Sequence, residues 1–330
     1  MYLQRWILSK LPHHFLSGSV YAYVPGRSAI QCASRHVGMT WGVKVDIASF
    51  FHQIREQDVV HLFRSWGFSK YAAIGYAKIL TEPLNRIPNV VDSKTGGRLP
   101  QGAPTSGAIA NLVCTELDAR MERYAQLNSL VYTRYSDDIL LSSKNPVFSR
   151  ESAAEVLREI SSIMKQFGLG LNTSKTRVYG PSAGKHYLGC FIDKDRIRVP
   201  RHYRRKVESV DYCLEKFGLQ MTEKFYGDRA LELLLAEENP AAKGKDVLFA
   251  DQGKTSFPSS HFITRYVGQI VYLNQIDSAL ATKFARKCSD AIQKEQEFFD
   301  GHYISYVKVW VLRSLGTILG DKGPEQDSPF

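Results

Sequence analysis

Three aspartates stand where a carboxylate needs a partner. Asp46 closes the apolar run Val43-Lys44-Val45, and Asp137-Asp138 falls at the tip of a strand, turn and strand formed by Leu130–Tyr135 and Asp138–Ser142. Burying an unpaired carboxylate is expensive, and a divalent cation is the commonest strong partner. Mg²⁺ takes a few carboxylates together with waters and substrate phosphates. Two such ions about 4 Å apart activate a hydroxyl nucleophile and stabilise a leaving pyrophosphate. Neighbouring side chains on an extended strand face opposite ways, so a tight turn is needed before Asp137 and Asp138 can approach one metal pair. Plainer readings exist for each: an Asp-Asp pair solvated in a turn, and Asp46 capping a helix over 47–54.

The segment Arg98-Leu99-Pro100-Gln101-Gly102-Ala103-Pro104-Thr105-Ser106-Gly107 opens a long helix. Its prolines and glycines fix an unusual backbone at a helix N-terminus, where free N–H groups and the positive end of the dipole suit a phosphate. The alternative is a loop bounded by prolines for purely local reasons.

The elements that must carry these residues follow from periodicity. Residues 41–48 read as a buried strand and 3–10 as a short helix, with further helical spacing over Asp58–Trp66 and Tyr71–Leu80 and a turn at 92–97. A helix is expected from Thr105 to Ala125, because Ile109, Leu112, Val113, Leu117, Met121 and Tyr124 fit a 3.6 period; Thr105 and Ser106 can cap it. Ser152–Phe167 is a helix stopped by Gly168, and 185–199 a hairpin turning at Asp193–Asp195. Composition shifts near 200–206, where Arg201, Arg204, Arg205 and Lys206 cluster with His202 and Tyr203. Beyond lie helical patterns over 207–217, 222–237 and 264–297, a polar stretch at 239–260, and a tail, 320–330, expected to fray. Tyr303–Leu319 is open between strand and helix, because Val307, Val309 and Val311 alternate while the length suits a helix.

Composition narrows the classes. The 330 residues carry 43 Lys+Arg against 33 Asp+Glu, a formal charge of +10, with 44% hydrophobic residues. That balance is globular rather than disordered, and the length suits roughly two domains. No apolar run is long enough for a membrane helix, so no membrane partner is expected. The N-terminus lacks a signal-peptide layout. The five cysteines, Cys32, Cys114, Cys190, Cys213 and Cys288, are at least 23 residues apart and form no CxxC, which points to free thiols in the cytoplasm rather than a zinc ribbon or disulfide framework. A basic chain favours a polyanion such as nucleic acid.

In order, the chain presents Asp46 with Phe50-Phe51, RLPQGAPTSG, YSDD in a hairpin, Asn172-Thr173-Ser174-Lys175-Thr176, and Tyr187-Leu188-Gly189. This succession, LPQGAPTSGAIANL and YTRYSDDILLS above all, resembles the polymerase motifs of reverse transcriptases, with bacterial retron-type and defence-associated enzymes nearest. The resemblance covers roughly residues 3–206. It implies an α+β right-hand polymerase with reduced fingers, an antiparallel-sheet palm and a helical thumb: fingers and palm over 1–200, thumb and C-terminal extension over 201–330. It implies an RNA-directed DNA polymerase that adds dNTPs to a primer 3′-OH on an RNA template. The implied partners are a dedicated non-coding RNA in antiphage defence, and a partner protein or second copy.

By the same resemblance, Asp46, Asp137 and Asp138 hold two Mg²⁺ ions and Lys175 is a general acid for pyrophosphate. Phe51 is the aromatic gate against a 2′-hydroxyl, Gln101 packs on the nucleotide, and Gly102 lets the backbone approach it. Tyr187, Leu188 and Gly189 form the primer grip. Arg27, in the segment Tyr21–Ser28 followed by Ala33 and His36, contacts template or triphosphate, or forms a structural ion pair. Arg201, Arg204 and Arg205 track backbone phosphates or are a solvated helix start. Phe51 as a core aromatic and Lys175 as a surface lysine are the bland alternatives. Three features depart from the family pattern: a short fingers region before the first helix, Tyr187-Leu188-Gly189 where Val-Thr-Gly is usual, and Ser136 where Ala is usual. Cys32 also replaces a usual Asn. The rival readings are an RNA-binding scaffold whose partner completes the fingers, and template-independent or protein-primed DNA synthesis.

Overall fold

In the computed structural model, residues 2–12, 16–83, 96–237, 262–303 and 305–320 are described. The chain divides into two compact units, Met1–Ile197 and Arg198–Phe330.

The first unit is built on a four-stranded antiparallel sheet in the order β2-β3-β1-β4, from β1 (Trp41–Asp46), β2 (Val131–Tyr135), β3 (Asp138–Ser143) and β4 (Arg177–Tyr179). Its helices are α1 (Tyr2–Leu8), α2 (Ala29–Ser34), α3 (Phe50–Gln53), α4 (Glu56–Ser65), α5 (Lys70–Leu80), α6 (Ser106–Val113), α7 (Thr115–Leu127) and α8 (Arg150–Gln166). A smaller sheet combines β5 (His186–Tyr187), β6 (Cys190–Ile192) and β7 (Ile197–Arg198). The alternation of β1 sorts its side chains. Val43 and Val45, with Ile139 and Leu141 opposite them, join the core beneath α7 and α8. Lys44 and Asp46, with Leu140 and Asp138 opposite, take the other face. Apolar packing therefore fixes the sheet from one side and leaves the other for chemistry.

Beyond Arg198, the last residue of β7, the regular elements of the second unit among the described residues are helices: α9 (Arg201–Glu237), α10 (Phe262–Asn274), α11 (Ser278–Lys294), α12 (Gln296–His302) and α13 (Ser305–Leu319). Its core gathers Val207, Val210 and Leu214 of α9 with Ile263, Val267 and Ile270 of α10 and Phe284, Ala285 and Cys288 of α11. The open segment at 303–319 is a helix. Val307 and Val311 are buried while Val309 is 64% exposed; a helix puts residues four apart on one face and the one between them elsewhere, whereas a strand would turn all three the same way.

Several expectations are corrected. The helix over 105–125 is two helices broken at Cys114, whose φ and ψ are −83° and 6°. Ser106–Leu112 are all buried, whereas α7 buries one face, so the two need different directions. The Thr115 hydroxyl bonds back to the Leu112 carbonyl at 2.8 Å, a contact that bends helices. Thr105 gives α6 no side-chain cap, and the Ser106 hydroxyl donates instead to the Pro100 carbonyl at 2.7 Å. Asp46 ends a strand and caps no helix; the residue before α3 is Ser49, at φ 46°. The pattern over 264–297 is interrupted at Gln275–Asp277, where Asp277 accepts from the Leu280 N–H and starts α11. The hairpin at 185–199 has an extra turn at Leu188-Gly189, both with positive φ. The expected turn at 92–97, apart from residues 96 and 97, the polar stretch at 239–260 and the tail after 320 lie outside the described residues. All five cysteines are free; Cys32, Cys114, Cys190 and Cys288 are buried and Cys213 is half-buried. Burial pushes the Cys32 thiol up to about 11 and the Cys114 thiol up to about 12. Among the described residues no helix is long and apolar enough to cross a membrane.

One break in α9 is imposed by a single position. Gly218 has φ 78° and ψ 178°, and the chain resumes its helix with the Glu295 carboxylate accepting from the N–H groups of Leu219 and Gln220, both at 2.9 Å. A Cβ at 218 would run into Glu295 Oε1. Gly218→Ala is therefore expected to lower stability by about 2 kcal/mol or more, from the left-handed backbone and the lost cap together, read as a fall in the unfolding midpoint.

Candidate active site

The end of β1 is where the sequence-expected residues meet. Asp46 pairs in register with Asp138, which sets their Cα atoms roughly 4.5–5.5 Å apart. The β2–β3 connection is two residues long, Ser136-Asp137, with Ser136 at φ 59°. Main-chain bonds pin this turn to its neighbours: the Ile47 N–H donates to the Asp137 carbonyl at 2.9 Å, the Asn172 N–H to the Asp46 carbonyl at 2.8 Å, and the Ala48 N–H to the Gly170 carbonyl at 2.9 Å. The loop carrying Lys175 is thus stitched to the strand carrying Asp46.

Like charges directly opposed across a sheet destabilise it, and two lysines answer them. Lys175 Nζ donates to Asp46 Oδ2 at 3.0 Å, and this bond raises the Lys175 ammonium above its ordinary value. Lys44 Nζ lies 2.8 Å from Asp138 Oδ1. That approach is Coulombic without hydrogen-bond geometry, so buried Oδ1 makes no hydrogen bond. The Asp137 carboxyl is raised, first by burial and then by Asp138 and Asp46, with its own backbone bond and Lys175 opposing. Three mutually repelling carboxylates with oxygen-only donors and an unsatisfied buried oxygen suit a hard divalent cation. As the side chains stand, no three His, Cys, Asp or Glu among the described residues converge to hold an ion; the ammonium groups supply the compensating charge.

A buried network braces the turn from the core side. Arg134 is fully buried and makes a bidentate pair with Asp118 of α7, Nε to Oδ1 at 2.8 Å and Nη2 to Oδ2 at 2.7 Å. Its Nη1 donates to Asn111 Oδ1 of α6 at 3.0 Å and to the Ser136 carbonyl at 3.2 Å. Tyr132 adds a hydrogen bond to Asp118 at 2.6 Å, and Asn111 Nδ2 one to the Ala22 carbonyl at 2.7 Å. On the opposite face His36 bridges Ser142 at 2.6 Å and Thr133 at 2.7 Å. Burial, aided by Arg35 and Lys144, pushes it down to about 3, so it stays neutral.

The other expected residues fall as follows. Phe51 is half-buried in α3, tilted against Phe50 at 5.4 Å and edge-on to Tyr23 at 6.2 Å between centroids. Gln101 and Gly102 form an exposed turn, Gly102 at φ 88°, tied near α3 by the Leu99 N–H donating to the Ile54 carbonyl at 3.2 Å. Arg27 donates Nη1 to the carbonyls of Ser17 and Val20: its structural alternative is built, through carbonyls rather than an acid. The Tyr187 ring is buried, its hydroxyl donating to the Asp138 carbonyl at 3.5 Å. It braces the carboxylate strand from below, and the turn Leu188-Gly189, half-buried and exposed respectively, is the part left accessible. Arg201, Arg204 and Arg205 are exposed on the first turns of α9, and Arg204 pairs with Glu208 at 2.8 Å. Tyr203 packs into the helical core, its hydroxyl donating to the Gln269 carbonyl at 3.3 Å, so it does not interleave with those arginines. Lys44 and the Arg134–Asp118–Asn111 network escape a reading of the motifs alone. The available signal is charge in apolar strands: Lys44 two residues before Asp46 on the same face, and an arginine in the middle of a buried strand.

Comparison with known proteins adds to this geometry. Residues 3–192 match the family described as "Reverse transcriptase (RNA-dependent DNA polymerase)". The chain is 28% identical over 209 residues to the retron Ec86 reverse transcriptase of Escherichia coli, covering 63% of this chain and 60% of that protein. It is 31% identical over 233 residues to the retron Mx162 reverse transcriptase of Myxococcus xanthus, covering 64% and 47%. The chain thus spans about half to three-fifths of the length of these curated relatives. A solved structure of telomerase from Candida albicans, in complex with a fragment of telomeric RNA, aligns with 94% of this chain and 56% of its own at 12% identity and a TM-score of 0.43.

Two outcomes test the site as a physical object. Arg134→Met leaves Asp118 buried and unpaired, and should cost about 3–5 kcal/mol in denaturant unfolding. The second concerns Asp137. Its folded value lies above the ordinary aspartate value, so the fold binds that proton more tightly than the unfolded chain, and stability falls as pH rises through the interval between the two. Without divalent cations, Asp137→Asn should melt higher than the native chain at pH 7, and the difference should vanish below the ordinary aspartate value.

Proposed function

Because the chain belongs to the reverse transcriptase (RNA-dependent DNA polymerase) family, we propose that it extends a primer 3′-OH with dNTPs on an RNA template, as a retron-type enzyme. The observation that carries this reading is the pinned end of β1, where register and main-chain bonds hold Asp46, Asp137, Asp138 and Lys175 together. Asp46, Asp137 and Asp138 would hold two Mg²⁺ ions, which when bound activate the 3′-hydroxyl and stabilise leaving pyrophosphate.

The chain's own residues supply position and charge. Lys175 is 60% exposed, and its raised ammonium is a proton source for the pyrophosphate oxygen. Lys44 neutralises Asp138 while the substrate is absent. Phe51 bars a 2′-hydroxyl from the sugar site, the turn at Gln101-Gly102 takes the nucleotide, and the Leu188-Gly189 tip meets the primer. Arg201, Arg204 and Arg205 lie on a helical unit that we assign to gripping the template–primer duplex by its phosphates. This divides the chain into fingers and palm over 1–200 and thumb over 201–330. The biological setting we propose is the cytoplasm, with a dedicated non-coding RNA and a role in antiphage defence.

Primer extension on an RNA template with Mg²⁺, run with dNTPs and with rNTPs, decides the reading. Extension should prefer dNTPs and should fall at least about 100-fold in Asp137→Asn and Asp138→Asn. A chain that binds RNA but extends no primer on any template is the scaffold of the rival reading.

A further inference from the structure

Tyr23 has no role in the reading above, yet its backbone is strained for it. It holds φ 58°, a region costly for a residue with a Cβ. Burial does not repay that strain, since the side chain is 50% exposed. Three contacts define where its ring sits. The ring lies so close over the start of α6 that a Cβ on Gly107 would stand 2.6 Å from Tyr23 Cδ2; only glycine admits it there. The Ser136 hydroxyl, in the turn that carries Asp137, donates to the Tyr23 hydroxyl at 3.4 Å. The Phe51 ring meets it edge-on at 61°. One half-open side chain therefore touches the nucleotide-loop helix, the carboxylate turn and the sugar gate.

We propose that Tyr23 is a positioning residue for sugar discrimination: it holds the Phe51 ring at its angle, and its open half forms the adjoining wall of the sugar site. The inference rests on the reading of Phe51 as the gate. A ring propped on one side discriminates by shape only if the prop is rigid. The left-handed backbone, the Gly107 seat and the Ser136 hydroxyl supply three separate restraints on it.

The test is sugar selectivity, the ratio of kcat/KM for a dNTP to that for the matching rNTP, in primer extension. Tyr23→Gly removes the ring and relieves the positive φ, so it should fold; Tyr23→Leu is the second variant if it does not. Both should lose at least about 10-fold in selectivity, with rNTP use rising and the dNTP KM rising more than kcat falls. Tyr23→Phe, which keeps the ring, should restore selectivity to within about two-fold. A folded, active Gly or Leu variant with unchanged selectivity overturns the proposal. So does selectivity unchanged in Phe51→Ala, which removes the gate itself. Absence of any dNTP extension by the native chain would instead overturn the polymerase reading, and the two failures are distinct.

Discussion

Two carboxylates face each other across a pair of antiparallel strands, and much of the first unit answers that repulsion. The register that opposes Asp46 to Asp138 is set on the other face of the sheet, where Val43, Val45, Ile139 and Leu141 pack beneath helices. A slip of β3 by one residue would carry Ile139 and Leu141 to the wrong side and part Asp138 from Asp46. The apolar face thus enforces a charge placement that the polar face must neutralise, and Lys44 and Lys175 do so from two different elements. Burial adds to the cost at Asp137. A site so arranged is destabilised by itself and is relieved by positive charge.

The strain would distort the turn without a support, and Arg134 is that support. Its guanidinium takes two oxygens from Asp118, one from Asn111 and one from the turn itself, so α6, α7 and the hairpin share one set of planar bonds. Such a fork has a fixed shape that a lysine lacks. The helix that follows the Gln101-Gly102 turn and the turn that carries the carboxylates are held in one frame by side chains that never reach the surface.

Much of this is legible in the residues. The strand ending in Asp46, the tight turn at Ser136-Asp137 and the helical second unit follow from periodicity and turn chemistry, and the motif order carries the family. What stays hidden has a common cause: it depends on register or on partners distant in sequence. Lys44 shows its charge and its face in the sequence, but not that pairing brings Asp138 diagonal to it. The Thr105–Ala125 stripe keeps its 3.6 period across Cys114 and gives no sign that α6 is buried all round while α7 is not. Leu188 takes φ 49°, which no propensity for leucine suggests. Nothing local therefore announces the turn it makes with Gly189, or that Tyr187 lies beneath that turn rather than at its tip.

The cysteines give the molecule built-in timers. Three buried thiols, Cys32, Cys114 and Cys190, lie in the first unit, and Cys288 lies buried in the second, where Cys213 alone is half-accessible. A thiol reagent reaches a buried sulfur only when its surroundings open. Alkylation rates therefore separate the breathing of one unit from that of the other within a single native chain, with no foreign label introduced.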